Sequence, residues 1–507
     1  MNNLSQSLKT GKQKAALMIQ GTTSNAGKSV LTTAFCRILS RKGYSVAPFK
    51  AQNMSLNSFV TRDGKEMGRA QVVQAQACRK DPDVRMNPVL LKPNSNTGSQ
   101  IIVMGKPVGS MNIHEYTKFK KELIPIVHKA YDELANENDI IVLEGAGSPA
   151  EVNLKPDDIV NMSMARHANA SVLLCGDIDR GGVYAHFIGT MICLDSIEQN
   201  MVKGFLVNRF RGDSTLLTSA HEFVLNKTGK PVLGVIPYLN SIAIPDEDSV
   251  SFKNVNLKNR DISDSITISL VDLPHISNAT DIDPFYLEPD VNLRIVRSCK
   301  DIDDSDVIIL PGSKNVISDL LSLYSKGIIE KIIDTARRKS AVIIGICGGF
   351  QMLGNKILDP YAIECQTGNE TDGLGLLDIT SILEQEKTLR LTQVYDSQSD
   401  CHISGYEIHH GVTNVGSESV PIMKSEELQP TGARNKDNSV WGTYLHGIFD
   451  NDKFRRAFID TIRIRKGLHP LGIIQSSYNI NNAIDRLADC VEESTDMNAI
   501  LKLLGLQ

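Results

Sequence analysis

Long apolar runs are missing from this 507-residue chain: no stretch of eighteen consecutive apolar residues occurs, so no membrane-spanning helix is expected. The polar start, "MNNLSQSLKTGKQKAA", lacks the apolar core of a secretory leader. A large excess of one sign of charge is also missing. A net charge of −5 and a pI near 6.2 argue against nucleic acid or an anionic membrane as the main partner. Paired cysteines are absent: the nine cysteines are odd in number and form no CxxC, which excludes a disulfide framework and a cysteine zinc site. Reduced thiols in a cytoplasmic protein are the expectation. There are no internal repeats and no low-complexity tract. The hydrophobic content of 41% is enough for several cores, and at roughly 100–200 residues per domain two to four domains are expected.

What is present is a recurring order of buried strand, polar or glycine-rich loop, and helix. "AALMIQ", "YSVAPFK", "DIIVLEGAG", "ASVLLCGDID", "MVKGFLVNRF" and "PVLGVIP" read as parallel strands covered on both faces. The pattern predicts a doubly wound α/β domain over residues 15–255, after a polar lead at 1–14. The weakly patterned stretch from about 240 to 265 is the expected boundary. "ITISLVDLP", "DVIILPG" and "AVIIGICGG" then predict a second doubly wound α/β domain over 263–465. "NNAIDRLADCVEEST" predicts an amphipathic helix within a C-terminal tail at 466–507.

Between the first strand and first helix stands "GTTSNAGKS", Gly21 to Ser29. Backbone N–H groups of a glycine-rich loop ahead of a helix converge on an anion. Gly21, Thr22, Ser24, Asn25 and Gly27 would cradle phosphates, Lys28 would reach the β- and γ-phosphates, and the Ser29 hydroxyl would meet Mg²⁺. Five residues separate Gly21 from Gly27, one more than in the usual Walker A loop. Glu144, at a strand end in "LEGAG", is a second Mg²⁺ ligand candidate. Asp177 and Asp179 in "GDIDRGG" also end a strand. For each of these acids and for Asn208, helix or turn capping is the competing reading.

The second motif is "VIIGICGGFQMLG", Val342 to Gly354. A thiol on a tight strand-to-helix turn is exposed and strained, and the next N–H and the helix start stabilise an oxyanion. Cys347 is therefore the candidate nucleophile. Its base is expected from His446 in "GTYLHGIFD". A buried structural cysteine is the alternative. Glu407, His409 and His410 in "GYEIHHG" are pocket candidates or satisfied structural groups, without metal-ligand spacing.

The longer phosphate loop resembles the dethiobiotin-synthetase-like branch of P-loop enzymes, which activate carboxylates with ATP; that resemblance implies that Asn208 reads adenine. "GICGGFQ" with the later "YLHG" resembles a class I glutamine amidotransferase. It implies Cys347 as nucleophile, His446 as base, Gly312 and Gly348 as the oxyanion hole, and Gln351 against the bound glutamine. That family's glutamate two residues beyond the histidine is replaced here by Ile448. "GYSVAPFKAQNMSLNS", "GRAQVVQAQA", "MNPVLLKP", "GDIDRGGVYAHFIGT", "NRFRGD", "PDEDSV", "GICGGFQMLG" and "GTYLHGIFD" together, over about residues 15–450, resemble the cobyric acid synthase family.

This resemblance implies ATP- and glutamine-dependent amidation of the b, d, e and g carboxylates of adenosylcobyrinic acid a,c-diamide, in cobalamin biosynthesis. It implies ATP, Mg²⁺ and L-glutamine as the small molecules, a corrinoid whose cobalt is substrate-borne and not protein-bound, and neither a nucleic-acid nor a membrane partner. Lys50, Asn53, Ser55, Asn87, Lys92, Asp177 and Asp179 are candidate substrate contacts, with local turn hydrogen bonding as their alternative role. Cobyrinic acid a,c-diamide synthase, another glutamine-dependent amidoligase, and a ParA/MinD-like regulatory ATPase are the alternative functions. Nothing in the sequence specifies an oligomeric state.

Overall fold

The computed structural model describes residues 14–94, 98–239, 244–245, 264–364, 370–397, 399–425 and 430–506. The polar lead up to residue 13, nearly all of the expected boundary segment and Cys365 lie outside them.

The first sheet is wholly parallel. Its order is Val232–Pro237, Val202–Phe210, Ser171–Asp177, Ala15–Gly21, Ile140–Glu144, Val46–Phe49. Ala15–Gly21 is buried along its whole length and lies near the centre. The chain leaves it at Gly21 and enters the helix Lys28–Arg41, which places the glycine-rich loop at the carboxyl ends of the strands, where α/β sheets bind ligands. Two features were not expected from sequence. A four-stranded sheet (Gln52–Met54, Val89–Pro93, Gly98–Val103, Lys106–Asn112) is inserted after Val46–Phe49. A small hairpin, Ser58–Val60 with Glu66–Gly68, reaches toward the second half of the chain.

The second sheet is mixed. Val291–Val296, Ile266–Val271, Val307–Leu310, Val342–Ile346 and Val440–Thr443 run parallel. Antiparallel pairing then takes over through Pro430–Arg434, Val420–Ser425 and the long hairpin Ile379–Asp396/Cys401–Val415. The expected double winding holds only for the parallel part. The hairpin alternates buried and half-exposed residues, the signature of a sheet with one face covered.

The expected terminal helix forms at Ile480–Glu493. It does not stand apart. Ile484, Leu487 and Val491 are buried in one cluster with Leu31, Phe35 and Ile38 of the helix after the glycine-rich loop. Arg37 Nη2 donates to Asn481 Oδ1 at 2.7 Å, and ion pairs Arg41–Asp489 and Lys42–Glu492 extend the seam.

Candidate functional site: a phosphate loop and a buried thiol

Gly27 caps the first helix with φ of 99°, a left-handed conformation that glycine adopts without a Cβ penalty. The Asn208 side chain packs against it, and its Nδ2 donates to Ala26 O at 2.9 Å, so the amide nitrogen braces the loop from below. Lys28 Nζ donates to Thr23 O at 3.1 Å and Gly147 O at 3.0 Å, which curls the ammonium back over the loop. Ser29 Oγ donates to Glu144 Oε1 at 2.8 Å. A hydroxyl and a carboxylate in contact suit a hard cation such as Mg²⁺. Lys50 Nζ meets the same carboxylate oxygen at 2.7 Å, and Gln74 Nε2 meets the other at 2.6 Å. A cavity of about 400 Å³ opens beside them, lined by Ser24, Asn25, Lys28, Lys50, Asn53 and Lys120 among others.

The expected substrate contacts divide. Lys50 and Asn53 line this cavity. Asn87 does not: its amide is used by Lys50 O, Val89 O and Gly68 N, so it ties strands together. Ser55 is buried in a turn with Asn57. Asp177 pairs with Arg209 at 2.8 Å, and Asp179 with Arg211 at 3.0 Å; neither lines the cavity. Lys92 points to the other half of the molecule. It pairs with Glu66 at 2.7 Å and lines the second site.

That second site grows from the end of Val342–Ile346. The strand is β-branched and buried between Val307–Leu310 and Val440–Thr443, so three carboxyl ends converge. Cys347 follows with φ 52° and ψ −106°, a strained turn for a residue with a Cβ. A Cβ on Gly349 would lie 2.0 Å from Leu310 O, which is why the turn needs glycine there. The helix after it is short, Gly348–Met352. Cys347 Sγ lies 3.5 Å from Ile408 O, and the residue is 5% exposed.

His446 arrives from the neighbouring strand end and is 1% exposed. Its Nδ1 lies 2.7 Å from Asp281 Oδ2, and the other carboxylate oxygen accepts from Gly447 N at 2.8 Å. Nε2 has no hydrogen-bond partner among the described residues. Burial disfavours the imidazolium, but Asp281, with Cys347 beside the ring, outweighs it and pushes His446 up to about 10. Asp281, rather than a residue two positions beyond the histidine, holds the imidazole. Sequence reasoning missed it: it lies in "NATDIDP", 165 positions from the histidine, with no local spacing signal.

Gly348 and Gln351 line the narrow cavity at Cys347, of about 50 Å³. Gly312 does not line this cavity. It packs against Ser277, near His446, and Ser313 lines the cavity. His409 and His410 line it too. His409 is held at both nitrogens, by Gly411 O and Glu407, and stacks on Tyr444. Among the described residues no cluster of His, Cys, Asp or Glu suits a metal ion, and no helix is long and apolar enough to cross a membrane.

Comparison with known proteins decides the family. A cobyric acid synthase from Nitratidesulfovibrio vulgaris is 51% identical over 530 residues, covering 97% of this chain and 97% of its own. The chain belongs to the cobyric acid synthase family. A second cobyric acid synthase, from Limosilactobacillus reuteri, is 45% identical and covers 96% of this chain and 98% of its own. The adenosylcobalamin biosynthesis bifunctional protein CobDQ of Leptospira interrogans is 49% identical over 99% of this chain and 58% of its own length. Residues 17–251 match the CobQ/CobB/MinD/ParA nucleotide binding domain, and 267–454 match the CobB/CobQ-like glutamine amidotransferase domain. A solved glutamine amidotransferase structure aligns with 38% of this chain at 13% identity and a TM-score of 0.29. Cobyric acid synthases therefore share with this chain both halves in the same order, and its enzymatic nature follows from that membership.

Proposed function

We propose that this chain amidates the b, d, e and g carboxylates of adenosylcobyrinic acid a,c-diamide, with ATP as activator and glutamine as nitrogen donor, in the cytoplasm. The observation that carries the reading is the pairing, in one chain, of a Cys347–His446–Asp281 arrangement with a Ser29–Glu144 phosphate-loop site.

In the glutaminase half, Cys347 Sγ attacks the amide carbon of glutamine. The Gly348 N–H donates to the oxyanion. His446, held charged by Asp281, gives its proton to the leaving nitrogen, and ammonia departs from a thioester. Water then attacks the thioester with His446 as base, releasing glutamate and the thiol. In the synthetase half, Lys28 and the loop N–H groups bind the ATP phosphates. A corrinoid carboxylate oxygen attacks the γ-phosphorus and ADP leaves. Ammonia attacks the acyl phosphate, and phosphate leaves with formation of the amide. Ser29 and Glu144 are the residues to hold Mg²⁺, which when bound neutralises charge on the β- and γ-phosphates. Lys50 and Asn53, which line the cavity beside the loop, would meet the carboxylate or the transferred phosphoryl group.

A ParA/MinD-like regulator has no use for the thiol arrangement. Cys347→Ala discriminates: the account expects glutamine-driven amidation to be lost and amidation from free ammonia to persist. Loss of both in a folded protein would contradict the two-site reading.

A further inference from the structure

The cavity at Cys347 carries charges that the thiol chemistry does not use. Lys314, Lys387, Lys92 and Glu364 all line it. Two of the three lysines are already engaged. Glu66 binds Lys92 at 2.7 Å through one oxygen and Lys387 at 2.6 Å through the other. Glu407 is committed to Arg390, Thr392 and His409. Two groups remain. Lys314 Nζ makes no hydrogen bond or ion pair among the described residues. Glu364 is the one carboxylate among the described residues on the cavity wall, and it accepts only backbone N–H groups, Ile317 N at 3.0 Å among them. Lys314 and Glu364 feel each other's charge but close no ion pair among the described residues.

An uncommitted cation and an uncommitted anion on the wall of one cavity match a zwitterion. Glutamine presents an α-carboxylate and an α-ammonium at one end and its amide at the other. Resting on the glutaminase reading, we propose that Lys314 binds the α-carboxylate of glutamine and Glu364 its α-ammonium, so that the amide reaches Cys347. The cavity holds only a few waters. Its recognition groups must therefore swing, and Lys314 and Glu364 are both only half-buried. Removal from water, reinforced by Lys387 and Lys92, pushes Lys314 down to about 7, and burial pushes Glu364 up to about 7. The opposite charges of a bound amino acid relieve both.

The test removes each charge from one side at a time. Ammonia release from L-glutamine, 4-aminobutyramide (no α-carboxylate) and glutaramate (no α-ammonium) is measured with the full-length protein and with Lys314→Met, Lys314→Arg and Glu364→Gln. Wild type is expected to favour glutamine over either analogue by about 10²-fold in kcat/KM, the scale of one charged hydrogen bond. Lys314→Met should lose its preference over 4-aminobutyramide while keeping that over glutaramate, and Lys314→Arg should restore it. Glu364→Gln should do the reverse. Amidation from free ammonia reports folding in each variant. A uniform loss across all three substrates, or wild-type preferences in the variants, would overturn the assignment. A wild-type protein that releases no ammonia from glutamine would instead remove the glutaminase reading, and this assignment with it.

Discussion

A histidine buried to 1% exposure stays charged only beside an anion, and for His446 that anion is Asp281. Asp281→Asn removes it and leaves the shape nearly unchanged. The expected result is a fall of about 10²–10⁴-fold in glutamine-driven rate with ammonia-driven rate retained, read from steady-state kinetics with each nitrogen donor. The same contact acts on stability. His446 is raised above its unfolded value of about 6.5, so the contribution is complete below that pH and is lost as pH rises through about 10. The gap in Tm between wild type and Asp281→Asn should therefore be widest near pH 6 and close by pH 10. A constant gap would show that Asp281 acts by packing. The approach of Cys347 and His446 was legible because each follows a recognisable strand. Asp281 was not, because an orienting carboxylate needs only to be near in space.

Between the two halves, the elements meet through charge as well as apolar surface. The hairpin Ser58–Val60/Glu66–Gly68 places Ser58 N on Asn278 Oδ1 at 2.9 Å and Phe59 against Tyr406, whose ring stacks on His446. Glu66, on the same hairpin, is held charged by Lys387 and Lys92 despite full burial. Removing one partner of a buried ion group leaves uncompensated charge, which costs about 3–5 kcal/mol. Glu66→Gln should lower unfolding free energy by that amount in urea titrations, and Glu66→Gln/Lys92→Met/Lys387→Met should recover most of it. A loss below about 1 kcal/mol would mean that water reaches the cluster. None of this was readable in sequence. The lysine in "MNPVLLKP" was a candidate substrate contact, and the inserted sheet brings it to the cavity at Cys347. The parallel strands were readable, since continuous apolar runs mark sheets covered on both faces. The antiparallel extension was not, because its half-buried alternation gives a weaker signal.

At the scale of the whole molecule, a late helix completes an early core. The helix Ile480–Glu493 closes the core beneath the phosphate loop by burying Ile484, Leu487 and Val491 against Leu31 and Phe35. A protein ending before Tyr478 would expose that face. Its ATP affinity should fall at least tenfold while glutamine hydrolysis persists, as measured by nucleotide titration and ammonia release. Unchanged nucleotide binding would contradict a supporting role for the tail. The central claim concerns both halves at once, and one endpoint tests it. The protein is incubated with adenosylcobyrinic acid a,c-diamide, Mg-ATP and amide-¹⁵N glutamine, and the corrinoid is weighed by mass spectrometry. Four labelled nitrogens with ADP formed are the predicted result. An unchanged corrinoid, with ATP and glutamine both consumed, would contradict it.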